Sequence, residues 1–549
     1  MKKKLLSALG FVASLLIASC SLVKPKTSVS ASASDNASSV TSASASPSPS
    51  ASPSVGSASG SASASTKPAA SKDFTLYSFN DFHGSYEQYN GAGYNEVGAA
   101  RLKYAIQHDV DYQADSSMIL NAGDSYQGSY LAYYDRGLAS ALLGKIGVKA
   151  MALGNHEWDW GVDALKEMIQ QDSPNFPVLA CNVLLNETGK PVDFLTPSTI
   201  VTTASGVKVG IVGAIGSGEE SDIKTSIIET YSFSPAVSYV EAELKKMSDC
   251  DYKIFLVHDS INDSSNTYVK DIIASLQSDG YGVDAVVGGH THQFEAETYQ
   301  GVPFVQGGHN SLGYGKIVFN STSHTVTPSY TIFDAKDYNV PDSALDSSML
   351  TLIQQSTVVQ GENKGLGITF DDIFNRYDQM YQFIPDAMLY EAKKEGWGTK
   401  NPIIAIHNVG GIRDSLAAGE ATPSRLFKVC PFDNKARAVS GIPGSVIAQV
   451  IGSTPTGRVH VTGKSTESLS YCYDTSDGLP LDSTKTYDVL TIDYCYEKSY
   501  FSKIAARANW LPLKKATSTD WVMPDLIRDY VVNSGTTTFK KADYTIYSA

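Results

Sequence analysis

From Phe74 onward the chain alternates short apolar runs with longer amphipathic stretches. FTLYSF (74–79), SSMILNAG (116–123), KAMALG (149–154), KVGIVGAI (208–215), YKIFLVH (252–258) and VDAVVGG (283–289) read as buried strands. Between them EVGAARLKYAIQHDV, LASALLGKIG, VDALKEMIQQ, AVSYVEAELKKM and NTYVKDIIASLQSDG have the spacing of helices that bury one face. Strand and helix in alternation predict a layered α/β domain over residues 73–335. Residues 336–366 are polar with an amphipathic centre, SALDSSMLTLIQQSTVV, which predicts a linker helix. A second unit over 367–549 has helix candidates FDDIFNRYDQMYQFIPDAMLYEAKK and GSVIAQVIG, and strands PIIAIHN and TYDVLTIDY.

The first 72 residues break this pattern. MKKKLLSALGFVASLLIASC has a lysine cluster, an apolar stretch and small residues before a cysteine, an export signal too short for a durable membrane span. IASC resembles a bacterial lipobox, in which Cys20 would be diacylated and become the mature N-terminus; a plain secretory signal is the alternative. Residues 21–72, rich in Ser, Ala and Pro, have little to bury and are expected to form a solvated tether. The expected location is therefore the bacterial cell envelope, outside the cytoplasm and lipid-anchored, at the cell surface or in the periplasm. At 549 residues the chain is too long for one ordinary core. Its net charge of −14 repels polyanions and argues against a nucleic-acid polymer as partner, while leaving room for a small phosphate near metals or arginine. Besides Cys20 there are five cysteines, an odd number that leaves at least one thiol unpaired.

Chemistry enters at the strand ends. The first predicted strand runs into NDFHG, which places Asp81 and His83 two apart on one face of an extended segment. The second runs into Asp124 of NAGDSYQGS and the third into Asn155, His156 and Asp159 of GNHEWDWG. The fifth ends at His258, and the sixth runs into His290 and His292 of GGHTH. Ligands of open α/β sheets collect at the carboxyl ends of strands, so groups this distant in sequence can converge. Each alone reads as an ordinary turn; five in order, each directly after a buried run, point to one centre. Carboxylates, imidazoles and an amide without thiolate suit divalent ions such as Zn²⁺, Mn²⁺, Fe²⁺ or Mg²⁺. Even with His156 and Asp159 set aside, seven side chains are too many for one centre with an open position, and two ions sharing a carboxylate can grip attacking and leaving oxygens at phosphorus.

The ordered set DxHG, GDxxxGS, GNHEWD, an apolar run ending in histidine, and GGHTH resembles that of the calcineurin-like metallophosphoesterases. IHNVGGIRDSLAAGEAT (406–422) and VCPFDNK (429–435) resemble the NxGGIR and PFxN segments of the bacterial 5′-nucleotidase and UDP-sugar hydrolase family. The resemblance implies a four-layer α/β/β/α metallophosphoesterase domain followed by a smaller α+β substrate-binding domain. It implies one ion on Asp81, His83, Asp124 and His292 and another on Asp124, Asn155, His258 and His290, with Asp124 as the bridge. His156 would stabilise or protonate the departing oxygen, oriented by Asp159, whose ordinary alternative is a helix cap. In the second domain Arg413 of GGIR would fork onto phosphate oxygens, with Gly411 letting the backbone approach. Arg376 matches another arginine that the family points at its substrate; a solvated helix charge is its alternative. Asn408 and Asn434 would hydrogen-bond a base and Phe432 would stack on it. One departure stands out. Where the family has a second aromatic followed by GGDGY, this chain reads TIDYCYEKSYFSK (491–503); Tyr494 can replace the aromatic, but the glycine pair and the aspartate are missing.

The expected activity is hydrolysis of nucleoside 5′-monophosphates by water activated between two divalent ions. The alternatives are UDP-sugar or 2′,3′-cyclic-nucleotide hydrolysis, thiosulfohydrolase chemistry on the same fold, or a non-catalytic surface lipoprotein that captures a ligand. Intact donors at five strand ends weigh against the last.

Overall fold

The computed structural model describes residues 27–28 and 72–544, apart from 94, 173–174, 217, 265, 335–337, 452–457, 463–469, 476–480 and 507–509. The expected export signal, Cys20 and most of the expected tether lie outside the described residues. Among the described residues no helix is long and apolar enough to cross a membrane.

Two mixed sheets stack face to face in the first domain. One runs Thr27–Ser28, Thr325–Ile332, Gly313–Asn320, Phe74–Phe79, Ser117–Asn121, Val148–Ala152, Val178–Leu179, and its last four strands are parallel. The other runs Ser198–Thr202, Lys208–Ile215, Tyr252–His258, Ala285–Gly288, Val302–Gly307, Phe294–Tyr299, with its middle four parallel. Successive side chains on a strand leave opposite faces, and the cores follow that alternation. Leu76, Leu120, Ile211, Leu256 and Val287 fill the space between the sheets. Their neighbours Tyr77 and Ile119 pack outward on Leu102, Ile106, Leu142 and Leu165, from the helices Ala99–Gln107, Arg136–Ile146 and Val162–Asp172. On the far side Val212, Phe255 and Val286 pack on Val240, Leu244, Ile272 and Leu276, from Val237–Leu244 and Tyr268–Ser278. Strands buried on both faces explain why the sequence shows continuous apolar runs there. The antiparallel strands from Phe294 to Ile332 escaped the sequence reading because they mix apolar with polar and glycine positions, as in GYGKIVFN.

The helix Ser347–Gln360 begins at Asp346, whose carboxylate accepts from Ser348 N and Met349 N, and ends at Gly361 in the left-handed conformation. Met349 and Ile353 lie in the first domain's core, and Lys103 pairs with Asp346 at 2.6 Å, so this helix is fastened to the first domain.

The C-terminal domain is also α/β. Its sheet runs Arg458–Thr462, Ser470–Thr475, Ile403–Asn408, Thr486–Ile492, Ala436–Pro443, Leu511–Pro512. The helices Gln379–Lys394 and Met523–Asn533 cover one face and Gly444–Ile451 the other. The helix expected from residue 370 begins only at Gln379. Thr369–Phe370 pairs as a strand with Gly419–Glu420 and Thr538–Phe539, and Phe374 bridges to Leu416. Phe370 and Phe374 are drawn into an aromatic cluster with Phe383, Phe539 and Tyr544. Their four-residue spacing reflects that packing rather than a helix.

Candidate active site

The carboxyl ends of the parallel strands of both sheets lie along one rim. The loop after Phe74–Phe79 runs beside the loop after Ser117–Asn121: Asp81 N donates to Gly123 O at 2.9 Å and His83 N to Asp124 O at 3.0 Å. The Asn80 amide donates to Gly308 O and accepts from Gly307 N, both at 2.6 Å, and His290 N donates to Asp81 Oδ2 at 2.9 Å. This bonding holds the backbone where side chains disfavour it. Asp81, His83, Asp124, His290 and His292 all have φ between 46° and 74°. Such conformations cost about 1–3 kcal/mol each and persist only where the surroundings impose them. Gly154 is required for a different reason, since a Cβ there would stand 2.2 Å from Asp124 Oδ1.

The donors fall into two groups, Asp81 with His83 and His292, and Asp124 with His258 and His290; within each, the ligand atoms lie within 4.8 Å of one another. His83 Nε2 faces His292 Nε2 at 3.1 Å, and Asn155 Oδ1 faces both His258 Nε2 at 3.1 Å and His290 Nδ1 at 3.2 Å. Asp81 Oδ1 is buried without a hydrogen-bond donor among the described residues, its 3.4 Å approach to His292 Nε2 being poorly directed. Lone-pair atoms turned toward each other in this way suit a cation between them, and the donor set fits two divalent ions. Electrostatics agree. Burial and His292 hold His83 well below the usual imidazole range, leaving a lone pair to offer. Burial disfavours charge on Asp124, yet His258, His156 and His83 outweigh it and keep this carboxylate well below its usual range. Burial also opposes charge on His258, but Asp124 raises it well above its usual value, a proton that a divalent ion would replace.

Beside these groups His156 Nδ1 lies 2.7 Å from Asp159 Oδ2. His156 Nε2 faces the other domain, where Arg413 Nη2 meets it at 2.6 Å. Arg413 also lies over the Phe432 ring, 5.2 Å from its centroid. A cavity of about 360 Å³ between the domains is lined by Asp124, Asn155, His156, Asp159, His290 and His292 on one side. Asn408, Gly411, Arg413, Phe432, Asn434 and Tyr494 line the other side. The structure thus brings together the expected residues of both domains, with Asp81, His83 and His258 buried beneath the floor. Arg376 is the exception. It lies in a loop before the helix Gln379–Lys394 and lines an adjacent cavity with His83, His292 and Arg413. Tyr494 sits on the short helix Asp493–Glu497 rather than on the preceding strand, and Lys498 lies 4.5 Å from its ring centroid.

Several residues of the site carried no signal that the sequence reading used. Glu157 accepts from the backbone N–H groups of Asp124, Ser125, Tyr126 and Gly154, clamping the donor-bearing loops together; its place inside GNHEWD was the available clue. Lys224 and Asp222 line the cavity from the loop after Lys208–Ile215, and Lys224 pairs with Asp493 of the other domain at 3.0 Å. Glu219, on the same loop, approaches His290 Nδ1 at 3.0 Å. Nothing local in sequence marks such cross-domain contacts. Cys181, Cys250 and Cys430 form no disulfide among the described residues.

Comparison with known proteins follows the same division. Residues 74–294 match the calcineurin-like phosphoesterase family and residues 359–501 match the C-terminal domain of 5′-nucleotidases. The chain is 25% identical over 453 residues to protein 5NUC of Lutzomyia longipalpis, covering 70% of this chain and 74% of that one. It is 30% identical over 236 residues to the 5′-nucleotidase of Diplobatis ommata, covering 41% of this chain and 38% of the relative. It therefore spans about three quarters of the first relative and well under half of the second. The solved structure of the 5′-nucleotidase precursor of Thermus thermophilus superimposes with a TM-score of 0.66 over 85% of this chain and 97% of that one, at 18% identity, a likeness of fold. The two matches fall in the order in which the fold sets its two domains. The chain belongs to the 5′-nucleotidase family, with a metallophosphoesterase domain followed by the family's C-terminal domain.

Proposed function

We propose that this metallophosphoesterase hydrolyses nucleoside 5′-monophosphates to nucleoside and phosphate. One observation carries the reading: Arg413 and Phe432 of the C-terminal domain reach His156 and the two donor groups inside a single cavity. Its volume falls within the range of small-ligand sites. Divalent ions held by Asp81, His83, Asp124 and His292 and by Asp124, Asn155, His258 and His290 would acidify a water for attack and neutralise charge on phosphoryl oxygens. The guanidinium of Arg413, whose Nε is buried without a hydrogen-bond partner among the described residues, would bind the phosphoryl group. A phosphate oxygen entering between Arg413 Nη2 and His156 Nε2 would let both donate to it. His156 would then pass its Nε2 proton to the departing ribose oxygen, with Asp159 holding Nδ1. Phe432 and Tyr494 would offer faces to a base, and the Asn408 and Asn434 amides, which line the same cavity, would hydrogen-bond its edge. We propose further that the protein works outside the cytoplasm, tethered by lipid on Cys20, a reading supported by the first twenty residues.

A panel of AMP, UDP-glucose, 2′,3′-cyclic AMP and a sulfur ester, each with Mn²⁺ or Zn²⁺, tests the substrate. AMP is expected to give the highest kcat/KM. Preference for another member moves the assignment to that class, and absence of turnover on all of them rejects hydrolysis. A Cys20→Ala variant is expected to leave the membrane fraction; its retention there would reject the anchor.

A further inference from the structure

Five of the six buried parallel strands recognised in the sequence deliver metal donors at their carboxyl ends, and Lys208–Ile215 is the one that does not. The structure supplies its counterpart. Glu219 lies four residues past that strand, is 3% exposed, and turns Oε2 to within 3.0 Å of His290 Nδ1. Apart from this approach to His290, no hydrogen-bond donor reaches the oxygen among the described residues. His290 Nδ1 is the ring nitrogen that faces into the site, since it also lies 3.2 Å from Asn155 Oδ1. The other carboxylate oxygen rests against Gly216, where a Cβ would stand 2.7 Å away, and Gly216 N donates to His258 O at 3.0 Å. Glu219 is therefore packed against the strand end that carries His258.

From this geometry we infer that Glu219 is a further ligand of the second metal site, completing a donor set with Asp124, Asn155, His258 and His290. Donor atoms each about 2.1 Å from one ion and at right angles to each other stand about 3.0 Å apart, which is the observed separation of Glu219 Oε2 and His290 Nδ1. Charge points the same way. The first site has Asp81 to itself and shares Asp124, whereas the second has neutral imidazoles, a neutral amide and a share of Asp124; Glu219 supplies the missing negative charge. An additional carboxylate raises oxygen content and coordination number, favouring ions such as Mn²⁺ over tetrahedral Zn²⁺.

The inference rests on the two-ion reading above, and its test separates the two. Metal-stripped full-length protein is titrated with Mn²⁺ by calorimetry, for the wild type and for Glu219→Gln and Glu219→Ala. The wild type is expected to take up two equivalents, and both variants to lose about tenfold or more in affinity at one step while the other step is unchanged. Fewer than two equivalents in the wild type would overturn the two-ion reading and this inference with it. Two equivalents bound as tightly by both variants would overturn this inference alone. So would wild-type affinity in Glu219→Gln with a loss only in Glu219→Ala, because the amide still accepts a hydrogen bond and Glu219 would then merely orient His290. Should the variants not fold, a crystal structure of the Mn²⁺-loaded wild type decides: a carboxylate oxygen about 2.2 Å from the ion is expected, and one beyond hydrogen-bond distance overturns the assignment.

Discussion

On the phosphoesterase wall of the cleft, five donor residues sit on left-handed backbone, and the loops that carry them are bonded to one another and clamped by Glu157. On the opposite wall, Arg413, Phe432, Asn434 and Tyr494 project from turns and a short helix of ordinary backbone. The first wall stores strain to fix donor atoms; the second offers a charge, two ring faces and amides whose exact placement the fold does not force. Metal chemistry tolerates little displacement, while recognition of a leaving group can be rebuilt from different side chains. The departure from the family pattern falls on the second wall, where the TIDYCYEKSYFSK segment stands.

The largest expected effects therefore lie on the first wall. Asp124→Ala removes the carboxylate of the second donor group and should lower kcat/KM by about a thousandfold or more, with loss of bound metal measured by elemental analysis. His156→Ala should cut kcat by about 10²- to 10⁴-fold while metal content stays at the wild-type level. Loss of metal in His156→Ala would show that the two walls do not divide chemistry as described.

Arg413→Ala comes next. It removes charged hydrogen bonds to phosphate, about 2–3 kcal/mol, or roughly 30- to 150-fold in kcat/KM. Arg413→Lys should recover only part of this, because a point charge cannot fork onto two oxygens. Full recovery by lysine would mean that only charge is read.

How much of this could be seen in sequence follows the same divide. Asp81, Asp124, Asn155, His258 and His290 each follow a continuous apolar run, so strand ends could be located and the rule for α/β sheets did the rest. Glu219 was hidden because it stands four residues past its strand in GSGEESD, where an acidic turn is the ordinary reading. Arg376 stands in a loop and not on the expected helix, because Phe370 and Phe374 repeat at helical spacing while packing as ring pairs. Lys224 and Asp493 acquire meaning only when two domains dock, a relation without local periodicity.

Phe432→Ala should sharpen the contrast with a smaller change. Loss of a stacking face is worth about 1–3 kcal/mol, so KM for AMP should rise about tenfold. With p-nitrophenyl phosphate, which has no base to stack, KM should stay within about twofold. Equal losses on both substrates would make Phe432 a support for Arg413, over which it lies, rather than a base-binding residue.

The smallest expected effect lies where the two walls are joined. Glu362 follows the linker helix, is buried, and shares the Thr357 hydroxyl with Glu87 of the first domain. Burial, reinforced by the neighbouring Glu87 carboxylate, pushes Glu362 up to about 8 from the ordinary 4.5. The folded protein thus holds this proton more tightly than the unfolded chain. Across the window from about pH 4.5 to 8 the folded state binds more protons, so stability falls as pH rises through it and levels off above. Glu362→Gln, which cannot ionise, should lack that decline: its Tm should match the wild type near pH 5 and exceed it by about 2 °C at pH 8. Because Glu362 touches neither the donor groups nor the ring faces, kcat/KM for AMP should be unchanged at both pH values. A parallel fall of Tm in both proteins would assign the decline to another group, and a changed kcat/KM would mean that this joint sets the spacing of the walls.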